Sequence, residues 1–358
     1  MRTISRVDSL RKVHAVIGGA ARASHQLYEY LSKTKNCQVD FFADFGGFGM
    51  PPRIKSSTEI MGRDYDVILM NSLRDVLIVG EYVKLYPKTK TIYTDRGNAL
   101  PNYLRSGIER ISPFMVASSF LLNEMRGWLS YYVSITDEQK AAGIKFFSGL
   151  KTKIEYIPIA PDPEFRQTGA KKTFQGAIYV GRLDERQKKV TFLIEGIAAI
   201  LKAHPELNDR EMLRIYGAGP DEHRYKTLAK RLHVDGNVSF VGFAAGNALV
   251  KAYNNAAFLV STSAWESPGR VFLESMACGT PILLNQRINC TALNGKKLVS
   301  QGGNGMIYRF GDLDDFCAKF YKMYSDPELR RRLSRGAHAS SRNVSLTKIM
   351  GEYKRIIT

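Results

Sequence analysis

Residues 261–284 read STSAWESPGRVFLESMACGTPILL. The apolar run Ala257–Ser261 has the character of a buried strand, and it feeds a loop that carries Glu266, Ser267, Pro268 and Gly269. A helix is expected to open at about Arg270, with Glu274 one turn inside it and the small residues Ala277 and Gly279 closing it. Pro281–Leu284 then reads as the next strand. Strand, loop, helix, strand is the unit of a parallel sheet covered by helices. The loop and first helical turn leave backbone amides unpaired, which suits phosphate or sugar oxygens. Two carboxylates, one on the loop and one a turn into the helix, can accept hydrogen bonds from ligand hydroxyls. Out of context, Glu274 is equally an acid favoured by the helix dipole.

Working outward, the same alternation covers the chain. Upstream of this stretch run Gln175–Val180 (strand), Lys189–Ala203 (helix), Met212–Tyr216 (strand), Asp221–Leu232 (helix), Val238–Val241 (strand) and Ala248–Asn254 (helix). Earlier strands are expected at Val39–Ala43, Asp66–Met70 and Thr91–Thr94, with helices at Ala23–Lys33 and Phe114–Leu129. Between the two sets, IEYIPIAPDPEF at 154–165 holds three prolines in six residues and reads as an extended linker from Ile154 onward. With 358 residues, two domains are the natural expectation.

Composition bounds the function. Apolar residues make up 44% of the sequence, as in ordinary globular proteins. No apolar run reaches the roughly 18 residues of a membrane span, and the charged start MRTISRVDSLRKV lacks a signal-peptide core, so a cytoplasmic location is expected. Cys37, Cys278, Cys290 and Cys317 are scattered without metal-ligand spacing and read as reduced thiols; no metal site is expected. The net charge of +18 is uneven: 22 Lys/Arg against 17 Asp/Glu in residues 1–165, and 30 against 17 in 166–358. That asymmetry implies an anionic partner or simply a solvated basic surface.

Two further stretches carry chemistry. In IYVGRLDERQKKV, 178–190, a strand ends at Val180, Gly181 permits a turn, and Arg182 and Lys188 precede a helix. Fixed cations beside free helical amides suit a diphosphate, although a surface ion pair would look the same. In IYGAGP, 215–220, Gly217 is either a ligand-approach glycine or a tight turn. His14 and His25 have no partner at recognisable spacing and read as structural.

The order of these stretches resembles glycosyltransferase family 4. Glu266 and Glu274, separated by seven residues and followed by ACGTP, are similar to that family's signature; GRL with Lys188 resembles its diphosphate loop. IPIAPDPEF resembles its interdomain linker, FVGF at 240–243 its base-holding strand, IGGAARASHQLYEYL at 17–31 its first glycine loop, and SLTKIMGEYKRII its last helix. The resemblance implies an α/β GT-B fold, two Rossmann-like domains facing each other across a cleft. It implies an acceptor-binding domain at 1–160, a nucleotide-sugar domain at 161–340 and a helix at 341–358 crossing back to the first. The implied activity is a retaining, metal-independent hexosyl transfer from a UDP- or GDP-sugar to a glycan, lipid or protein.

No cofactor is implied beyond the donor, and no nucleic-acid partner. By residue, Arg182 and Lys188 would neutralise the diphosphate and Glu274 would bind the ribose. Glu266, with amides of Gly269, Arg270 and Val271, would hold the sugar. Gly18 and Gly19 would approach the diphosphate, and Gly181, Gly217 and the Val241 backbone would complete the nucleotide site. Departures are Asp95 where the family often has His, Lys189 where it has Gly, and NQRINCTALNGKK at 285–297 in place of a glycine-rich stretch. Asp95 leaves open a catalytically silent subunit or chaperone of a glycosyltransferase complex. An epimerase or phosphorylase of the same fold is a further alternative, and a nucleic-acid binder would match the charge alone. The aromatic, arginine-bearing stretch 103–132 is expected to form either an acceptor face touching an anionic inner membrane surface or a core helix.

Overall fold

The computed structural model describes residues 11–17, 27, 29–33, 37–43, 54–55, 60–61, 64–71, 73–95, 120–169, 172–266, 269–289, 291–293, 296–342 and 344–358. The chain divides into two compact units, residues 1–159 with 347–358, and residues 160–346.

The first unit is built on seven parallel strands: β1 (Arg11–Ile17), β2 (Cys37–Ala43), β3 (Ile54–Lys55), β4 (Val67–Met70), β5 (Lys90–Thr94), β6 (Tyr131–Ser134) and β7 (Lys153–Tyr156). Their order across the sheet is β3-β2-β1-β4-β5-β6-β7. Helices α1 (Val76–Leu85) and α2 (Asp137–Phe146) pack on it. The second is held at its start by a reciprocal capping box between Thr136 and Gln139. Ile68, Met70, Val79, Tyr82, Leu122, Met125 and Tyr132 form one buried cluster.

One expectation changes here. The extended linker does not begin at Ile154, because Lys153–Tyr156 is the last strand of the first sheet, paired with β6. The first proline is Pro158, so every amide of KIEY is free to join the ladder. In the stretch 103–132, the described part from Phe120 has two faces: Leu122, Met125, Leu129 and Tyr132 are buried, whereas Phe120 is exposed, and Tyr131 opens a sheet strand.

The second unit carries six parallel strands: β8 (Ala177–Val180), β9 (Leu213–Tyr216), β10 (Val238–Gly242), β11 (Phe258–Ser261), β12 (Ile282–Asn285) and, beyond the two-stranded ribbon β13 (Thr291–Leu293) and β14 (Lys296–Lys297), β15 (Gly305–Tyr308). The order is β10-β9-β8-β11-β12-β15. In chain sequence this is 3-2-1-4-5-6, the doubly wound pattern, with its reversal between β8 and β11. The helices are α3 (Glu185–Lys188), α4 (Val190–Ala203), α5 (Glu222–Arg231), α6 (Gly246–Asn255), α7 (Arg270–Ala277), α8 (Leu313–Ser325) and α9 (Pro327–Ser341). Apolar residues of α4 at helical spacing, Leu193, Ile197 and Ile200, meet Phe316 and Phe320 of α8 over the sheet.

The final helix, α10 (Leu346–Ile357), belongs almost wholly to the first unit. Ile349, Met350, Tyr353, Ile356 and Ile357 are its buried face. Lys90 Nζ donates to the carbonyls of Ile356 and Ile357 at 3.0 and 3.2 Å, satisfying the helix end. Among the described residues no helix is long and apolar enough to cross a membrane.

Candidate functional site

In a doubly wound sheet the loops after the two strands that flank the reversal diverge and leave room for a ligand. In the second unit those are the loops after β8 and β11, and there the structure brings Lys188 and Glu266 together. The Lys188 ammonium bonds Glu266 Oε1, with the two side chains only 14% and 10% exposed. A nearly buried ion pair of this kind persists only when surrounding hydrogen bonds hold it. Ser263 Oγ donates to the same Glu266 oxygen at 2.8 Å, and Thr262 Oγ1 donates to the Lys188 carbonyl at 2.8 Å. The Ala264 amide donates to the Gln187 carbonyl at 2.7 Å, and Asn285 Nδ2 to the Ser263 carbonyl at 2.9 Å. The β11 loop is thereby stitched to α3 along its length.

Gly181 sits where a side chain would approach the Tyr179 hydroxyl at 3.0 Å. Gly217, at φ +152°, faces the Gly181 carbonyl so closely that a Cβ would lie 1.9 Å from that oxygen. The glycine of IYGAGP thus seats the β9 loop on the β8 loop, and its amide donates to the Gly242 carbonyl at 2.8 Å. Arg182 is 61% exposed and paired with Asp184, the N-cap of α3. Lys189 adopts φ +52°, ψ +43°, a left-handed conformation that glycine takes at little cost. The lysine there keeps the geometry without the glycine.

Gly269 precedes α7 without any side-chain cap, and its missing Cβ would lie 3.4 Å from Glu266 Oε2. Glu266 therefore lies against the start of α7, where Arg270 and Val271 begin the helix. Glu274 occupies a different cluster. It is buried, its Oε2 accepts from the Tyr253 hydroxyl at 3.3 Å, and Arg270 Nε lies 3.6 Å from Oε1. Arg270 also lies 3.4 Å from Asp162 Oδ2. Burial first, and the Glu274 charge second, hold the Tyr253 hydroxyl neutral well above its ordinary value.

The two glutamates thus have separate partners: Lys188 for Glu266, and Arg270 with Tyr253 for Glu274. Val241 is half exposed on the edge strand β10, where the register shifts between Phe240 and Gly242, and Phe243 beside it is 80% exposed. Gly18 and Gly19 lie outside the described residues. So do Ser267 and Pro268.

Ser263, Thr262, Asp162 and Tyr253 were not legible as site residues, since hydroxyls and a linker acid carry no spacing signal of their own. Asp95, in the first unit, is buried. Its Oδ2 accepts from the Tyr132 hydroxyl at 2.8 Å and its carbonyl accepts from Gln139 Nε2 at 2.8 Å. An acid so enclosed braces β5 against β6 rather than offering a surface group.

The sequence model described as Glycosyl transferases group 1 matches residues 162–339, nearly the whole second unit. A D-inositol 3-phosphate glycosyltransferase of Kribbella flavida is 29% identical over 231 residues, 59% of this chain and 53% of that protein. The chain spans about half the length of the first curated relatives it matches. Anabaena Alr3699/HepE, solved with UDP-glucose, superposes with a TM-score of 0.74 at 16% identity, covering 96% of this chain and 98% of that one. WaaG, a glycosyltransferase involved in lipopolysaccharide biosynthesis, gives 0.72 at 15% identity over 97% and 99%. With the same fold along its length, the chain has the GT-B fold, and its residues 162–339, nearly the whole second unit, belong to the glycosyl transferases group 1 family.

Proposed function

We propose that the protein is a retaining glycosyltransferase that moves a hexose from a nucleotide-sugar, a UDP- or GDP-sugar, to a glycan, lipid or protein acceptor. The observation that carries this reading is the Lys188–Glu266 pair at the sheet reversal, beside the uncapped start of α7. In this reading Lys188 and the exposed Arg182 neutralise charge that develops on the departing diphosphate, so the chemistry needs no metal ion. Glu266, oriented by Ser263, accepts hydrogen bonds from the donor sugar's hydroxyls, with amides of Gly269, Arg270 and Val271 nearby. Before a donor arrives, Lys188 and Glu266 satisfy one another, so donor binding exchanges one charge pair for two ligand contacts. Glu274 is assigned to the ribose, Gly181 and Gly217 to close approach of the nucleotide, and Val241 to the base through its backbone. The second unit is the donor domain and the first the acceptor domain. Alr3699/HepE was solved with UDP-glucose, which makes UDP-glucose the first donor to try.

The test is calorimetry with UDP- and GDP-hexoses, followed by product analysis with a chelator present. Donor binding that survives in the Lys188→Ala variant would count against the site. Turnover abolished by the chelator would count against metal independence, and an inverted anomer against retention.

A further inference from the structure

At the opposite ends of the second sheet's strands lies a cavity of about 550 Å³ that the donor reading does not use. Lys172 and Gln175 line it from the segment entering β8, Ala257 from the residue before β11, and Arg330, Arg331 and Arg335 from α9. These are the amino ends of parallel strands, whereas Lys188 and Glu266 follow the carboxyl ends. Four cationic side chains converge there, and among the described residues lining it there is no carboxylate. We propose that this cavity binds a phosphate-bearing ligand at a site separate from the donor site.

The cations are built in rather than scattered. Lys172 Nζ donates to the Ala256 carbonyl at 2.7 Å and to Thr280 Oγ1 at 2.9 Å, using two of its three protons. Arg330 is anchored by bonds from Nη1 to the carbonyls of Met323 and Tyr324, and from Nη2 to Gln175 Oε1 at 3.2 Å. Arg331 and Arg335 stand four residues apart on one helix face, where like charges repel. Arg331's contact with Glu328, 3.2 Å between two exposed side chains, offsets little of that. Asp326, at the cap of α9, is the acid whose charge acts on Arg330. Burial lowers Lys172 to about 8 and also lowers Arg330. An arriving oxyanion would relieve both the repulsion and that desolvation, and phosphate matches forked guanidinium donors.

The phosphate could be that of a free phosphorylated molecule or of a lipid headgroup, and two probes separate the sources. Calorimetry of the intact protein with inorganic pyrophosphate is run on wild type, on Lys188→Ala and on the double variant Arg331→Glu/Arg335→Glu. Flotation with vesicles of equal parts phosphatidylcholine and phosphatidylglycerol is run on the same three proteins. The expected result is binding that survives Lys188→Ala and weakens about tenfold or more in the double variant. Loss seen with pyrophosphate points to a free ligand, and loss seen only with vesicles to a headgroup. Both changed arginines are on the surface, and Arg331→Gln/Arg335→Gln repeats the test without charge reversal. Pyrophosphate and vesicle binding that are the same in wild type and in the arginine double variants, or pyrophosphate binding abolished by Lys188→Ala with vesicle binding unchanged in the double variant, would overturn the proposal.

Discussion

At the residue scale the candidate site rests on a few close contacts. Lys188→Ala removes the cation from a pair whose acid is nearly buried, and donor turnover should fall about 100-fold or more in a steady-state assay. Gly217→Ala puts a methyl group 1.9 Å from a backbone oxygen. The β8 and β9 loops would have to separate, so stability should drop by about 3 kcal/mol or more in a denaturant melt. Lys189 tests the opposite sign. Its left-handed backbone suits glycine, and Lys189→Gly should raise stability by about 0.5 kcal/mol, the relieved strain exceeding the added freedom of the unfolded chain. Asp95, read in sequence as a departure with functional weight, is a buried acceptor for Tyr132. Its role depends on a partner 37 residues away, which no local motif announces.

At the element scale, the helix after Gly269 shows how far a short pattern reaches. Its start at Arg270 follows from glycine, proline and the apolar spacing that comes after, and the observed helix runs Arg270–Ala277. What the pattern left open was which side chains the helix would meet. Glu274 could serve a ligand or the helix dipole, and only the packing of α6 places Tyr253 against it. The last helix carries a second consequence. Its apolar face covers the first unit, the Tyr353 hydroxyl lies 3.2 Å from Thr94 Oγ1, and Arg355 grips Glu155 with its nearest contact at 2.7 Å. Deleting residues 347–358 should therefore loosen the first unit and leave the second protected, which hydrogen exchange would resolve unit by unit.

At the scale of the whole molecule, buried tyrosines set the alkaline limit. Burial, reinforced by Asp95, keeps Tyr93 and Tyr132 neutral well above their ordinary 10.0, and burial with Glu266 does the same for Tyr179. Tyr253 behaves likewise beside Glu274. Raised folded values mean stability that is complete below pH 10 and is lost above it, because only the unfolded chain ionises there. Burial also raises the Cys278 and Cys317 thiols from 9.0 to about 12 and about 11, so thermal stability should begin to fall from about pH 9 and fall steeply above pH 10, with tyrosinate absorbance rising at the unfolding transition. Loss of stability well below about pH 9, with tyrosines still neutral, would show another group in control.

The sequence by itself determined the alternation of strands and helices, the two-unit division expected of such a length, and the cations and carboxylates at strand ends. These are local properties: periodicity, turn residues and charge can be read within a dozen positions. Tertiary structure alone decided that Lys188 lies on Glu266 rather than in solvent, and that Glu274 belongs with Arg270 and Tyr253. It also decided that KIEY is a strand and that four cations gather behind the second sheet. Each of these joins residues from segments distant in sequence. The energy that fixes them, burial and hydrogen bonds between elements, exists only once the sheets have formed.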